Sequence, residues 1–395
     1  MTAETFGAEI DSIVAEITPD LIGIRRHLHM HPELSLQEEK TAKLVTDELD
    51  ALGMSYRAGI GGHGVATLIG MGNGRVVGVR GDMDALPIEE KSGSPFSSKV
   101  PGVSHACGHD AHTAIVIGVA RVMARLADRL PGRAMVVFQP AEEGLNGAKA
   151  MIADGVLDWG KPDVMLGYHN WPPMDAGKVG FHPGTAFASA DRFKAEVTGL
   201  SGHAAYPHLT RDPIVAAAEF IGAAQTIVAR EVPPLSPAVV TFGRILGGTA
   251  ANQIPDSVII EGTIRAHTAD VRTLCRNALE RMARGAAEAC NVSISLTFGE
   301  GVAPVINHPE VLAPTVAAAR DALGAGNVID LGPGTMGGED FAEFTQLVPS
   351  AHLRIGSRLP DHPTMLHRSD FDLNEECIPV AVRAMCRAAL ALMER

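Results

Sequence analysis

Residues 134–144 read AMVVFQPAEEG: an apolar run, a Gln-Pro step and two adjacent carboxylates. The apolar part does not alternate with polar residues, which is the mark of a strand buried on both faces. Three more runs share this character: GVATLIG (64–70), VVGVRGD (76–82) and DVMLGYH (163–169). Helical patterns separate the later ones, at 114–130 and about 147–153. Strands alternating with helices predict an α/β domain with a mostly parallel central sheet flanked by helices.

Upstream, Ile10, Ile13, Val14 and Ile17 recur at helical spacing; Pro19 is expected to interrupt before Leu21, Ile24 and Leu28 resume. A second helix is expected over about 37–52, closed by Gly53. Downstream, the pattern changes after HPGT (182–185). A strand in DRFKAEVTG, a helix over 212–230, strands in AVVTFGRILGG and SVIIEGTIRAH, a helix over 269–290 and a strand in NVSISLTFG follow in order. That β-α-β-β-α-β order predicts a ferredoxin-like α+β sandwich. The α/β pattern then resumes, with a helix around 309–323 and a last one from about 375. The expected organisation is a discontinuous larger domain, 1–184 and 299–395, interrupted by a small inserted domain, 185–298.

Composition narrows the function. A chain of 395 residues is too long for one ordinary core and fits two domains. With 33 Lys+Arg against 46 Asp+Glu, the net charge is −13, which argues against nucleic acid or an anionic membrane as partner. No apolar run is long enough to span a bilayer. No Lys or Arg precedes Arg25, so no secretory leader is expected. The 5 cysteines include no CxxC pair, which fits a reducing cytoplasm.

The 16 histidines stand out beside 3 Tyr and 2 Trp. HACGHDAH (105–112) packs three His, a Cys and an Asp together, donors suited to zinc or a similar ion. In PAEEG (140–144) the two carboxylates repel, so burying both calls for a cation. One can bind metal while the other moves protons. His169 in YHNWPP and His367 in MLHRSDF are further candidates. Asp82, Asp84, Glu142, Glu143 and His169 each follow an expected strand, where ligands of open α/β sheets gather. Each has a plainer alternative. A single His after a strand is more often structural, and a Glu pair more often a solvated loop. The joint pattern favours a metal site.

These residues resemble a known family: the hippurate hydrolase, N-acyl-amino-acid amidohydrolase and auxin-conjugate hydrolase branch of the two-metal aminoacylases and carboxypeptidases. The likeness spans the chain, through RRHLHMHPELSLQE (25–38), RGDMDALPI (80–88), HACGHDAH, FQPAEEG, GYHNWPPMDAGKVG (167–180), SGHAAYPH (201–208), GGTAANQIPD (247–256), EGTIRAH (261–267), MGGEDFAEF (336–344) and LHRSDFD (366–372). The resemblance implies a metallopeptidase domain with an inserted lid and dimerisation domain, hence a homodimer or higher homo-oligomer. It implies two divalent ions per subunit, with Cys107 bridging and His109, Glu143, His169 and His367 as further ligands. Glu142 matches the general base, and Asp84 a carboxylate that orients the site from behind the ligands. The wider group has His-x-Asp where this chain has Asp82-Met83-Asp84; this branch shares that departure, with His109 taking over, so Asp82 is not counted as a ligand. In the inserted domain His203 matches an oxyanion donor that reaches the partner subunit's site, and Asn252 and Arg265 match groups that hold the substrate carboxylate. Tyr206 stands where many relatives have Met. His105 and His112 are expected to support the metal loop, and His208 the lid motif.

The implied reaction is hydrolysis of an N-acyl amino acid by a metal-activated water, with Glu142 carrying the proton. A thiolate and imidazoles favour zinc, cobalt or nickel, and manganese also serves in the family. Two dications outweigh the Cys107 thiolate and Glu143, so the centre stays positive and accepts an anionic substrate inside an acidic protein. The rivals are a cysteine hydrolase using Cys107 and a nearby His, and a binding module without catalysis.

Overall fold

Ile10, Ile13, Val14, Ile17, Leu21 and Leu28 form one buried stripe along a single helix, Ala3–Met30. The computed structural model describes residues 3–394. Pro19 was expected to break this helix, yet the helix runs through it. Proline removes one backbone bond; the apolar stripe lies on both sides of it and packs on one core, which keeps the helix continuous.

The chain divides into two compact units, one of 1–186, 306–333 and 340–395, the other of 187–305 and 334–339. The first unit is built on an eight-stranded sheet. Its order is Tyr56–Ile60, Gly64–Ile69, Arg133–Gln139, Val76–Asp82, Val164–Asp175, Ser350–Arg358, Val179–Phe181 and Val328–Asp330. The four strands from Arg133–Gln139 to Ser350–Arg358 run parallel. Antiparallel pairs flank them on either side. Every residue of Val76–Asp82 is buried, which explains its unbroken apolar run. Helices His109–Leu126 and Cys377–Met393 pack on that strand and on Ala3–Met30.

One helix boundary matters for chemistry. The pattern placed a helix start near 114, with HACGHDAH as a loop before it. The helix starts at His109, because Gly108 takes a left-handed turn (φ 86°) and launches it early. His109 and His112 therefore ride on its first turn, one helical step apart.

The second unit holds a four-stranded antiparallel sheet in the order Ala238–Gly247, Ser257–Ala266, Ser189–Thr198, Ser293–Phe298. Along Ser189–Thr198, Phe193, Ala195 and Val197 are buried while Arg192, Lys194 and Glu196 are exposed. Helices Pro213–Thr226 and Ala269–Cys290 supply the rest of that core. Asp212 caps the first helix by accepting the Ile214 N–H at 2.9 Å, and Thr268 caps the second through Val271. The expected helix over 212–230 ends at Thr226 and finishes in a wide turn, Ile227–Glu231. This unit extends past the expected limit at 298. Ala190 and Val302 exchange both backbone bonds, at 3.0 and 3.1 Å, and hold 299–305 on it. The Ala188 N–H reaches the Thr335 and Gly337 carbonyls, so 334–339 return to it as well. Neither link leaves a trace in hydrophobic periodicity.

Among the described residues, no helix is long and apolar enough to cross a membrane.

Candidate metal centre

Asp82 and Gln139 are the last partners of two parallel strands, so both strands end at one level. Asp84 and the Glu142–Glu143 pair follow just beyond, at the carboxyl end of the sheet. The neighbouring strand pairs with Val77–Val79 only through Val164–Leu166. It then continues to Asp175. His169, expected at a strand end, is therefore inside a strand, opposite Arg354 of Ser350–Arg358. The first turn of the His109–Leu126 helix lies close to this region. Gly81 makes the approach possible: a Cβ there would lie 2.6 Å from Val116 Cγ2 and 2.9 Å from the Tyr168 hydroxyl.

The acidic pair is gripped from behind. Asp84 Oδ1 accepts the Glu142 N–H and Asp84 Oδ2 the Glu143 N–H, both at 3.0 Å. The Ser35 hydroxyl donates to Oδ2 at 2.6 Å. The preceding amide, of Ala141, donates to buried Glu38 Oε1 at 2.8 Å. Ala141 and Leu145 both have left-handed backbones, with φ of 53° and 56°. Such positions in non-glycine residues carry strain that surrounding contacts must hold, and they gather at functional sites. Here three consecutive amides are bound by two carboxylates.

The imidazoles are aimed in the same way. His109 Nδ1 lies 2.9 Å from the Asp84 carbonyl, which can only accept, so Nδ1 carries the hydrogen and Nε2 faces the site. His169 Nδ1 donates to the Asn170 carbonyl at 2.7 Å, leaving Nε2 3.4 Å from Cys107 Sγ. His367, with a φ of 64°, donates its N–H to the Ala106 carbonyl and sets Nε2 3.3 Å from Glu143 Oε1.

The donor atoms fit a cation. Donors from Cys107, His109 and His169 cluster closely, as do those of Cys107, Glu143 and His367, and of His109, Glu142 and Glu143. His109 Nε2 is buried without a hydrogen-bond partner, which is costly for a polar atom unless something binds it. Electrostatics agrees. Burial opposes charge on His109, but Asp82 and Asp84 raise its pKa to about 10. Burial, together with Glu143, Glu142 and Asp82, pushes the Cys107 thiol well above its ordinary value. The cluster thus calls for positive charge.

Asp82, whose carboxylate also lies within ligand reach of His109 and His112, is hydrogen-bonded through both oxygens. Its Oδ1 takes the His112 Nδ1 hydrogen at 2.6 Å and its Oδ2 the Arg80 Nη1 hydrogen at 2.8 Å. Burial would raise its pKa, but His109, Arg80 and His112 hold it well below the carboxylate range. His112 links the Asp82 carboxylate to the Asn170 N–H. His105 makes no such link: both ring nitrogens are buried without a hydrogen-bond partner, and burial lowers its pKa to about 4.

Two buried networks escaped the sequence reading. Arg80 bonds Gln139 Oε1, Asp82 and Asp340 at 2.7 to 2.9 Å. Arg25 pairs with Asp110 at 2.8 Å and Asp372 at 2.7 Å, and His29 Nδ1 meets the same Asp110 at 2.7 Å. Both arginines sit inside motifs quoted for the resemblance, but nothing local marks an Arg as buried. His203, Asn252 and Arg265 belong to the second unit. The Ala204 N–H donates to the Asn252 carbonyl at 3.1 Å, beside His203. Arg265 is half-buried on the Ser257–Ala266 strand, opposite Val239. Tyr206 is exposed, its ring 5.6 Å from His203 and 6.4 Å from His208.

Carboxylates crowded around buried imidazole and thiol donors on an α/β sheet define a metal-dependent hydrolase. The chain belongs to peptidase family M20/M25/M40, whose sequence profile matches residues 78–391. It is 38% identical over 400 residues to N-acetyl-L-cysteine deacetylase of Bacillus subtilis, covering 99% of this chain and 94% of that one. It is 43% identical over 304 residues to N-acyl-L-amino acid amidohydrolase of Geobacillus stearothermophilus, covering 76% and 82%. A solved Bacillus subtilis protein, YXEP, described as a dinuclear metal binding peptidase of the M20 family, superposes with a TM-score of 0.84 at 32% identity, covering 96% of this chain and 99% of that one.

Proposed function

We propose that this protein hydrolyses the amide bond of N-acyl amino acids, releasing a carboxylic acid and a free amino acid. The observation that carries this is the orphaned, buried His109 Nε2, 3.9 Å from Glu142 Oε2. Cys107, His109, Glu143, His169 and His367 would hold two divalent ions. When bound, they supply Lewis acidity and a water acidic enough to attack near neutral pH.

Glu142 accepts a proton from the attacking water as the C–O bond forms. It returns that proton to the amide nitrogen as the C–N bond breaks, so the amine leaves neutral. Asp84 keeps Glu142 and Glu143 in place during the transfer. His203 of the partner subunit donates to the oxyanion, and loss of one such donor costs about 3–4 kcal/mol. Asn252 and Arg265 hold the substrate carboxylate, Arg265 through its planar fork. The second unit acts as lid and dimerisation domain. Zinc, cobalt, nickel or manganese suits the donor set. The cytoplasm is the proposed compartment, in keeping with five free cysteines.

The Cys107–His169 approach of 3.4 Å also suggests a thiol nucleophile. A reactive thiolate needs electropositive surroundings. Cys107 instead faces Glu142, Glu143 and Asp82, which disfavour its ionisation unless a cation is present. The deciding experiment is a panel of N-acyl amino acids assayed with added zinc, cobalt, manganese or nickel, before and after exhaustive chelation. Turnover is expected to vanish with chelation and return with a divalent ion. Turnover that survives metal removal would exclude the proposal in favour of the thiol.

A further inference from the structure

The geometry points to Asn170 as a positioning residue that ties the Cys107 loop to the His169 strand and so sets the spacing of two donors. It rests on the metal-centre assignment above but concerns a residue outside the ligand set. Every polar group of Asn170 is engaged. Its carbonyl takes the His169 Nδ1 hydrogen at 2.7 Å, which fixes the direction of Nε2. Its side-chain Nδ2 donates to the Cys107 carbonyl at 2.5 Å. Its backbone N–H donates to His112 Nε2 at 2.9 Å. The Ser357 hydroxyl donates to Oδ1 at 3.2 Å.

These contacts also fix which way the amide points. The Cys107 carbonyl can only accept, so the nitrogen must face it, and the Ser357 hydroxyl is then left to the oxygen. His112 completes the tie. Its Nε2 accepts from Asn170 while its Nδ1 donates to Asp82, so the strand, the helix and the Asp82 carboxylate are linked in one chain of bonds. Asn170 is 1% exposed and Ser357 is fully buried, so water cannot substitute for these bonds. Gly108 records how close the approach is, since a Cβ there would lie 2.4 Å from Asn170 Nδ2.

Groups that orient metal ligands from behind typically contribute about 10–100-fold to metal affinity. Asn170→Asp is the sharpest test. It keeps the shape but turns a donor into an acceptor facing the Cys107 carbonyl and the His112 lone pair. Asn170→Ala removes all three side-chain contacts, to the Cys107 carbonyl, His112 Nε2 and the Ser357 hydroxyl, and Ser357→Ala only the last. The readouts are cobalt affinity by chelator competition, the thiolate-to-cobalt absorption band, and Cys107 alkylation in metal-free protein by peptide mapping. Asn170→Asp and Asn170→Ala are expected to lose about 10–100-fold in cobalt affinity, weaken the thiolate band and alkylate faster. Ser357→Ala is expected to move the same way by less. Asn170→Asp protein with wild-type affinity, band and alkylation overturns the assignment, and should Asn170→Ala not fold, Asn170→Asp and Ser357→Ala still decide. Wild-type protein that binds cobalt through a thiolate but cleaves no N-acyl amino acid would remove the proposed substrate class and leave the role of Asn170 standing. Wild-type protein that takes up no cobalt would remove both.

Discussion

Asp84 Oδ1 accepts the backbone N–H of Glu142 at 3.0 Å. The proposed general base is thus held by its main chain, which leaves its carboxylate to the reaction. Glu142→Gln is expected to lower kcat by about 10²–10⁴-fold, the usual worth of a positioned general base. Metal content should be unchanged. Steady-state kinetics with metal analysis on the same sample checks this, and wild-type turnover in the variant would refute the role.

Asp84→Asn is expected to be more damaging to metal than its small size change suggests. Its amide nitrogen becomes a donor facing either the Glu142 or the Glu143 amide, both of which also donate. A buried donor left facing a donor costs its full desolvation penalty, about 1–3 kcal/mol. Reduced metal stoichiometry together with a lower Tm is the expected result. A variant that retains both would mean that Asp84 does not hold the acidic pair.

Gly108→Ala combines a left-handed φ of 86° with a Cβ 2.4 Å from Asn170 Nδ2. The expected destabilisation is about 1–3 kcal/mol from the backbone conformation alone, read as a shift in the urea midpoint. An unchanged midpoint would show that the loop relaxes freely.

His29 gives the fold a pH dependence. Burial lowers its pKa, but Asp110 and Glu90 outweigh this and raise it to about 9, above the ordinary 6.5. The protonated ring is therefore favoured in the folded state. Its stabilisation is complete below pH 6.5 and is lost as pH rises towards 9. Urea titrations across that window should show falling stability in the wild type and a flatter profile in His29→Gln. Equal slopes would place the titration elsewhere.

His203→Ala and Glu142→Gln chains are each expected to be nearly inactive alone. If His203 serves the site of the partner subunit, mixing the two should restore part of the activity, because some sites then hold both residues. Verified mixed dimers without recovery would confine His203 to its own subunit.

Much of this was readable along the chain. Continuous apolar runs mark strands buried on both faces, and Asp82 and the Glu142–Glu143 pair fall at or just past the ends of two of them. Local chemistry sufficed there, because strand burial and donor type are written in neighbouring residues. Periodicity misjudged Pro19, the start of the helix at His109 and the end of the strand bearing His169. Each depends on packing partners distant in sequence.

Sequence by itself determined the donor types, their order and the alternation of elements that carries them. Tertiary structure alone decided which atoms face the site. Nothing local tells that the Asp84 carbonyl sets the tautomer of His109, or that Arg80 and Arg25 are buried on carboxylates up to 350 positions away. Hydrogen-bond direction and burial are properties of the surroundings in space, and those exist only once the chain has folded.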